Sequence, residues 1–282
     1  MNKRVIAIHL PQFHPFLEND EWWGKGFTEW TNVTKAKPRF LGHYQPHLPS
    51  DTGFYDLRLP EAREMQANMA REYGIYGFCY YHYWFNGKRL MDRPVKEILA
   101  SGQPDFPFML CWANENWSRN WDGKFRNILI EQHYSEEDDI EHMRYLCSKV
   151  FQDTRYIRID GKPVFAIYRS NFFPNMKHTI DVWRKVAKEE YGIELYLIRV
   201  ENEPDFGPKY LDCGFDSAMD FQPLLMGEFN AWWKNLPFRI MNHLFKGKYQ
   251  KMEAKAKAIN CKECGACERM CPQQLPIRAD LK

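Results

Sequence analysis

Short apolar runs alternate along this chain with stretches in which apolar residues recur every three or four positions. VIAIHL (5–10) predicts a strand. PEAREMQANMAREY (60–73) puts Met65, Met69 and Tyr73 on one helical face, with Pro60 suited to the first turn. Gly74 ends that helix, and IYGFCYYHYWF (75–85) predicts the next strand. DRPVKEILASG (92–102) carries Pro94 near a helix start and Gly102 at a stop. FPFMLCWANENW (106–117) predicts a third strand. SEEDDIEHMRYLCSKV (135–150) predicts a helix opened by Ser135 and Asp138, with Ile140, Met143 and Leu146 at helical spacing. RYIRIDGKPVFAIYR (155–169) turns at Asp160-Gly161 into a fourth strand, and TIDVWRKVAKEEYG (179–192) predicts a helix closed by Gly192. IELYLIRVE (193–201) and SAMDFQP (217–223) predict the fifth and sixth strands.

Strand-helix alternation of this kind makes a parallel sheet with crossover helices. Polar and aromatic residues gather at the C-terminal ends of the strands, where HYW follows FCYY and WANENW follows FPFMLC. That edge carries function in β/α barrels and in open doubly wound sheets. No glycine-rich phosphate loop follows a strand, which favours the barrel. The expected fold is therefore α/β, a (β/α)8-type barrel truncated to about six strands. The barrel spans 1–223, a basic helical connector 224–258, and a small cysteine-rich tail 259–282.

The chain has 282 residues and a formal net charge of +2, so no global field recruits nucleic acid or a membrane surface. No apolar run reaches the roughly eighteen residues of a membrane span. The first residues, MNKRVIAIHLPQFHP, do not have the form of a signal peptide. A cytoplasmic protein is the expectation. Cys79, Cys111, Cys147 and Cys213 lie in apolar or helical contexts and are expected to be buried small hydrophobes.

The segment PQFHPFLENDEWWGKGFTEWTNVTKAKPRFLGHYQPHLP (11–49) is long and rich in Trp, His and Pro. Sugars present apolar C–H faces and a ring of hydroxyls, which aromatic rings, amides and carboxylates match. Trp30 and His43 are candidate contacts on that ground, unless their rings pack the loop onto the barrel. In YYHYWF (80–85), alternation places His82 and Trp84 on one face and Tyr81 and Tyr83 on the other. His82 and Trp84 are the pair expected to face the barrel mouth. In CWANENWSRNWDG (111–123), Trp112, Asn114, Trp117 and Asp122 are further contacts, and Glu115 is the candidate catalytic carboxyl. An ion pair of Glu115 with Arg119 is its structural alternative. Glycoside chemistry takes two carboxyl groups; Asp122, Glu29 and Glu201 are the candidate seconds.

With these residues in view, four stretches closely resemble the WbsX-type glycosyltransferase family, also described as glycoside hydrolase family 99-like. They are LPQFHPFLENDEWWGKGFTEWTNVTKAKPRFLGHYQPHLPSDTGFYDLRLPE, YGIYGFCYYHYWFNGKRL, CWANENWSRNWDG and YIRIDGKPVFAIYR. The resemblance covers roughly 3–223. It implies a (β/α)8 barrel, a glycan or sugar-donor substrate, and a role in building or trimming cell-surface polysaccharide. The family's paired glutamates lie in an Asn-Glu-Trp-x-Glu-Gly-like stretch that is absent here, so no catalytic pair carries over and the barrel is expected to be impaired or inactive. Two other functions stay open, an iron–sulfur electron-transfer or oxidoreductase subunit and a non-catalytic glycan-binding module. A sheet short of two strands also has open edges, which points to a homo-oligomer.

CKECGACERMCPQQLPI (261–277) places Cys261, Cys264, Cys267 and Cys271 at gaps of two, two and three, followed by Pro272. That spacing is an iron–sulfur run, and a 4Fe–4S cluster is expected there, with zinc as the alternative. A redox partner would follow from the cluster. The tail from about 240 resembles the ferredoxin-type extension of certain bacterial aldo-keto reductases.

Overall fold

The computed structural model describes residues 4–38, 43–119, 124–201 and 212–221. The strands are β1 Ile6–His9, β2 Gly77–Phe85, β3 Lys88–Leu90, β4 Phe108–Trp112, β5 Trp117–Arg119, β6 Lys124–Ile130, β7 Arg158–Ile159, β8 Lys162–Ile167, β9 Tyr196–Glu201 and β10 Ser217–Asp220. The α-helices are α1 Leu17–Trp23, α2 Glu29–Lys35, α3 Pro60–Glu72, α4 Arg93–Ser101, α5 Glu136–Tyr145 and α6 Met176–Tyr191. One compact unit, Met1–Glu115 with Glu131–Asp220, holds the main sheet; Asn116–Ile130, the β5–β6 hairpin, belongs to a second. No described helix is long and apolar enough to cross a membrane.

Six strands run parallel in the order β1-β2-β4-β8-β9-β10, with β3 antiparallel on β2 and β7 antiparallel on β8. The spatial order of the parallel strands follows the chain without reversal. A doubly wound sheet reverses direction at a switch point, whereas a barrel path does not. The six-strand, barrel-type sheet expected from the sequence is what the described residues form. The connector 224–258 and the cysteine motif 259–282 lie outside them.

Local chemistry explains several helix boundaries. Pro60 opens α3 and Pro94 lies in the first turn of α4. Ser135 caps α5 by accepting the Asp138 N–H at 3.2 Å, and four acidic residues fill that first turn, where the helix dipole favours them. Gly102 and Gly192 take left-handed positions at φ 71° and 67° to end α4 and α6.

Four features depart from the sequence expectation. The 11–49 segment contains α1 and α2, each only seven residues long, too short for a hydrophobic period to show. The third strand stops at Trp112, and Trp117 starts a separate hairpin. The helix expected to run to 150 passes at Leu146 into a five-residue π-helical turn. In α3 the buried face is Ala62, Arg63, Ala67 and Ala70, while Tyr73 is 73% exposed. Met69 and Tyr73 line a groove beside β1.

The core between sheet and helices is aromatic. Phe108, Leu110, Trp112, Phe165 and Ile167 of the sheet are buried with Met143 of α5 and Ile180 and Trp183 of α6. Strand β2 enters this layer under tight constraint: a Cβ on Gly77 would stand 2.6 Å from the Pro107 carbonyl oxygen.

Candidate functional site

Past the ends of β4 and β8, hydrogen bonding continues in irregular backbone. Ala113 N–H donates to the His82 carbonyl at 2.9 Å, and Tyr168 N–H to the Trp112 carbonyl at 3.0 Å. Asn114 then ties the two loops together. Its Oδ1 accepts the Arg169 N–H at 2.8 Å, and its Nδ2 donates to the Arg169 carbonyl at 2.8 Å and the Tyr134 hydroxyl at 3.0 Å. Tyr134 donates back to the Asn114 carbonyl at 2.7 Å. Asn114 is fully buried, so this amide is a brace.

The brace holds Glu115 and Arg169 side by side. Arg169 Nε donates to Glu115 Oε1 at 2.8 Å, and the Glu115 side chain remains 41% exposed. The guanidinium also lies over the Tyr168 ring at 5.1 Å. Among the described side chains, Glu115 thus pairs with Arg169, from the end of the neighbouring strand.

Tyr81 and Tyr83 share the sheet face that carries Tyr168. Tyr81 meets Tyr168 at 5.8 Å, edge to face, and Tyr83 at 6.3 Å. Burial raises the pKa of all three phenols, so they stay protonated as hydroxyl donors. On Tyr83 the Cys111 thiol, Glu29 and Glu115 add to that rise. Glu29 is the first residue of α2, and burial pushes its carboxyl up to about 7.

His82 and Trp84 face the helix layer instead, which corrects the expectation that they face the barrel mouth. His82 Nε2 meets His142 Nε2 of α5 at 2.9 Å, and Trp84 Nε1 donates to Asp138 Oδ1 at 2.9 Å. Trp84 stacks on His142 with centroids 4.5 Å apart and planes 7° from parallel. Trp112 is on the same side, against His142, Phe173 and Trp183. Alternation fixes which residues share a face but not which face is inner. The helix α5 supplies the polar partners that decide it.

The other candidates are spread out. Trp30 packs against Phe13, Phe54 and Tyr55 and donates its N–H to the Tyr55 carbonyl at 2.8 Å. That is the loop-packing alternative. His43 is half-buried. Trp117 belongs to the β5–β6 hairpin, and Asp122 lies outside the described residues. Glu201, on β9, pairs with Arg199 at 2.7 Å, both buried. Cys79, Cys111 and Cys147 are buried, and Cys213 is half-buried. Among the described residues no group of three or more His, Cys, Asp or Glu could hold a metal; Cys261, Cys264, Cys267 and Cys271 lie outside them.

The sequence profile of the WbsX glycosyltransferases matches residues 5–274. The chain belongs to the WbsX glycosyltransferase family. Two curated relatives, both called WxcX and uncharacterized, come from two strains of Xanthomonas campestris pv. campestris, B100 and ATCC 33913. Each is 42% identical over 219 residues, 78% of this WbsX-family chain and 31% of the relative. The chain thus spans under a third of their length. Among solved structures, a glycoside hydrolase-like protein shares the fold, with a TM-score of 0.50 at 16% identity over 77% of this chain and 57% of that one. A family 99 endo-α-mannosidase from Bacteroides thetaiotaomicron aligns with a TM-score of 0.49 at 13% identity, over 87% of this chain and 68% of that one.

Proposed function

We propose that this WbsX-family chain carries part of a glycan-processing site for cell-surface polysaccharide, with Glu115 as the reacting carboxylate and Glu29 as its acid partner. The observation that carries this is the geometry at the strand ends: a half-exposed Glu115 held 2.8 Å from Arg169, whose guanidinium lies over the Tyr168 ring. Pairs of carboxyl groups held in different environments divide acid and base roles. Arg169 stands 2.8 Å from Glu115, while burial pushes the Glu29 carboxyl up to about 7. In this reading Glu29 gives its proton to the leaving oxygen as the glycosidic bond breaks, Glu115 supports the positive charge that develops on the sugar ring, and water or an acceptor hydroxyl then bonds to the anomeric carbon and returns its proton to Glu29. Tyr81, Tyr83 and Tyr168 supply flat faces and hydroxyl donors for the sugar.

The test is turnover of fluorescently labelled oligosaccharides, scored for both transfer and release. Glu115→Gln should lower kcat by about a hundredfold or more. Full turnover in Glu115→Gln would remove Glu115 from the reaction. Glycan binding without any turnover by the wild-type chain would favour the non-catalytic binding module.

The cluster remains a separate proposal resting on sequence. Cys261, Cys264, Cys267 and Cys271 suit a 4Fe–4S cluster by their gaps and by Pro272, with zinc as the alternative.

A further inference from the structure

The thiols of Cys79 and Cys111 take no part in the chemistry proposed for Glu29 and Glu115, and their placement is specific. Along β2, residues 79, 81 and 83 point to one face of the sheet. In the β2–β4 register Cys79 stands beside Met109, and Tyr81 beside Cys111. Register partners point to the same side of a sheet. Cys79, Met109 and Cys111 therefore bring three sulfurs to one face from two hydrogen-bonded strands. Each of the three residues is 2% exposed. The Cys79 and Cys111 thiols are hydrogen-bonded to each other.

A disulfide does not suit this arrangement. Cys79 and Cys111 are diagonal neighbours, and Cα atoms in that relation lie about 7–8 Å apart. A disulfide closes Cα separations of up to about 6.8 Å. Packing alone is satisfied by any side chains of this size and does not call for sulfur at all three positions. Metal chemistry does. Thiolates and thioethers together select soft ions, copper(I) foremost. Zinc takes four ligands in its structural sites, and among the described residues no His, Asp or Glu makes a set of three with the two cysteines.

Charge favours a monovalent ion. The bond from Cys79 and burial raise the Cys111 thiol well above its usual value, so the site is held protonated and neutral. A buried charge without a partner is costly. One monovalent cation that displaces one proton leaves the site neutral.

We propose that Cys79, Cys111 and Met109 form a site for one copper(I) ion, bound between β2 and β4. One thiol gives its proton to solvent as the ion enters. The ion then bonds that thiolate, the sulfur of the second thiol and the thioether. Copper stays in its monovalent state, and no group is oxidised or reduced.

The terminal run also offers thiols, so the reference protein is the full-length chain carrying Cys261→Ser, Cys264→Ser, Cys267→Ser and Cys271→Ser. Copper(I) is supplied without oxygen as its coloured bicinchoninate complex, and transfer to the protein is read as loss of that colour. The reference chain should take one copper(I), release one proton, and melt at a higher temperature with the ion than without it. Adding Cys79→Ala or Cys111→Ala should weaken transfer by about a hundredfold, and Met109→Leu, which conserves volume, by about tenfold. Zinc at equal concentration should not compete. The proposal is overturned if the reference chain takes no copper(I) from bicinchoninate, if both alanine variants take it as tightly as the reference, or if zinc displaces it. Should the alanine variants fail to fold, X-ray absorption of the copper-loaded reference chain decides. Ligation by sulfur alone supports the site, and nitrogen or oxygen ligands overturn it.

Discussion

Glu29 and His82 show how burial sets the behaviour of single residues, in opposite directions. Burial pushes the Glu29 carboxyl from 4.5 up to about 7. The unfolded chain gives up that proton first, so the stability Glu29 allows is complete below about 4.5, falls as pH rises toward 7, and changes no further above it. Glu29→Gln should flatten this part of the Tm–pH profile. If Glu29 is the acid, wild-type turnover should also decline above about pH 7, and Glu29→Gln should be slow at every pH. A variant with the wild-type alkaline limb would assign that limb to another group. Burial lowers His82 to about 3 and holds His142 well below its usual value. Below pH 6.5 the unfolded chain binds protons that these imidazoles refuse, so stability is lost as pH falls, by about 1.4 kcal/mol per pH unit for each histidine. His142→Gln should have a shallower acid slope in urea titrations at pH 6.5, 6 and 5.5; an unchanged slope would mean that the pair does not govern acid sensitivity. Of the residues in the proposed site, Glu115 could be nominated from the strand-like alternation of CWANENW, although β4 itself ends at Trp112. Arg169 could not, because its pairing depends on β8 lying next to β4, a contact between residues 54 apart. Tyr81 and Tyr83 were legible as a pair sharing a face, but not as the inner pair.

At the level of elements, the sequence carries the long helices and the parallel strands because periodicity and caps accumulate over ten or so residues. VIAIHL, FPFMLC and KPVFAI all become strands. It conceals α1 and α2, whose packing is set by distant partners such as the Tyr55 carbonyl that receives the Trp30 N–H. The break after Trp112 was also hidden, since WANENW keeps a strand-like alternation that the buried Asn114 brace ends. Strand β2 gives a sharp test of its seating. Gly77→Ala would press a methyl against the Pro107 backbone, which cannot swing aside as a side-chain tip can. Overpacking of this kind costs about 1–3 kcal/mol, to be read as a lower urea midpoint with an unchanged slope. An unaltered midpoint would show that the β2–β4 crossing relaxes freely.

At the scale of the whole molecule, the parallel sheet ends among the described residues at β1 on one side and β10 on the other. For the cysteine run, anaerobic reconstitution with iron and sulfide should give a broad brown absorbance bleached by dithionite, and Cys264→Ala should abolish it. Zinc at one per chain, with no iron or sulfide, would assign the four thiolates to a structural zinc instead. The packing of Trp84, Trp112 and Trp183 around His142 has an optical consequence. Their centroids lie 4.5, 4.6 and 6.4 Å from that imidazole. Excited indoles so close to an imidazole and to one another exchange energy and are open to quenching, and buried ones emit toward the blue. Lifting α5 from the sheet separates all three from His142 at once and admits water. The intrinsic fluorescence of the chain therefore contains an unlabelled signal for the seating of α5, and a stopped-flow trace of it would time that event directly.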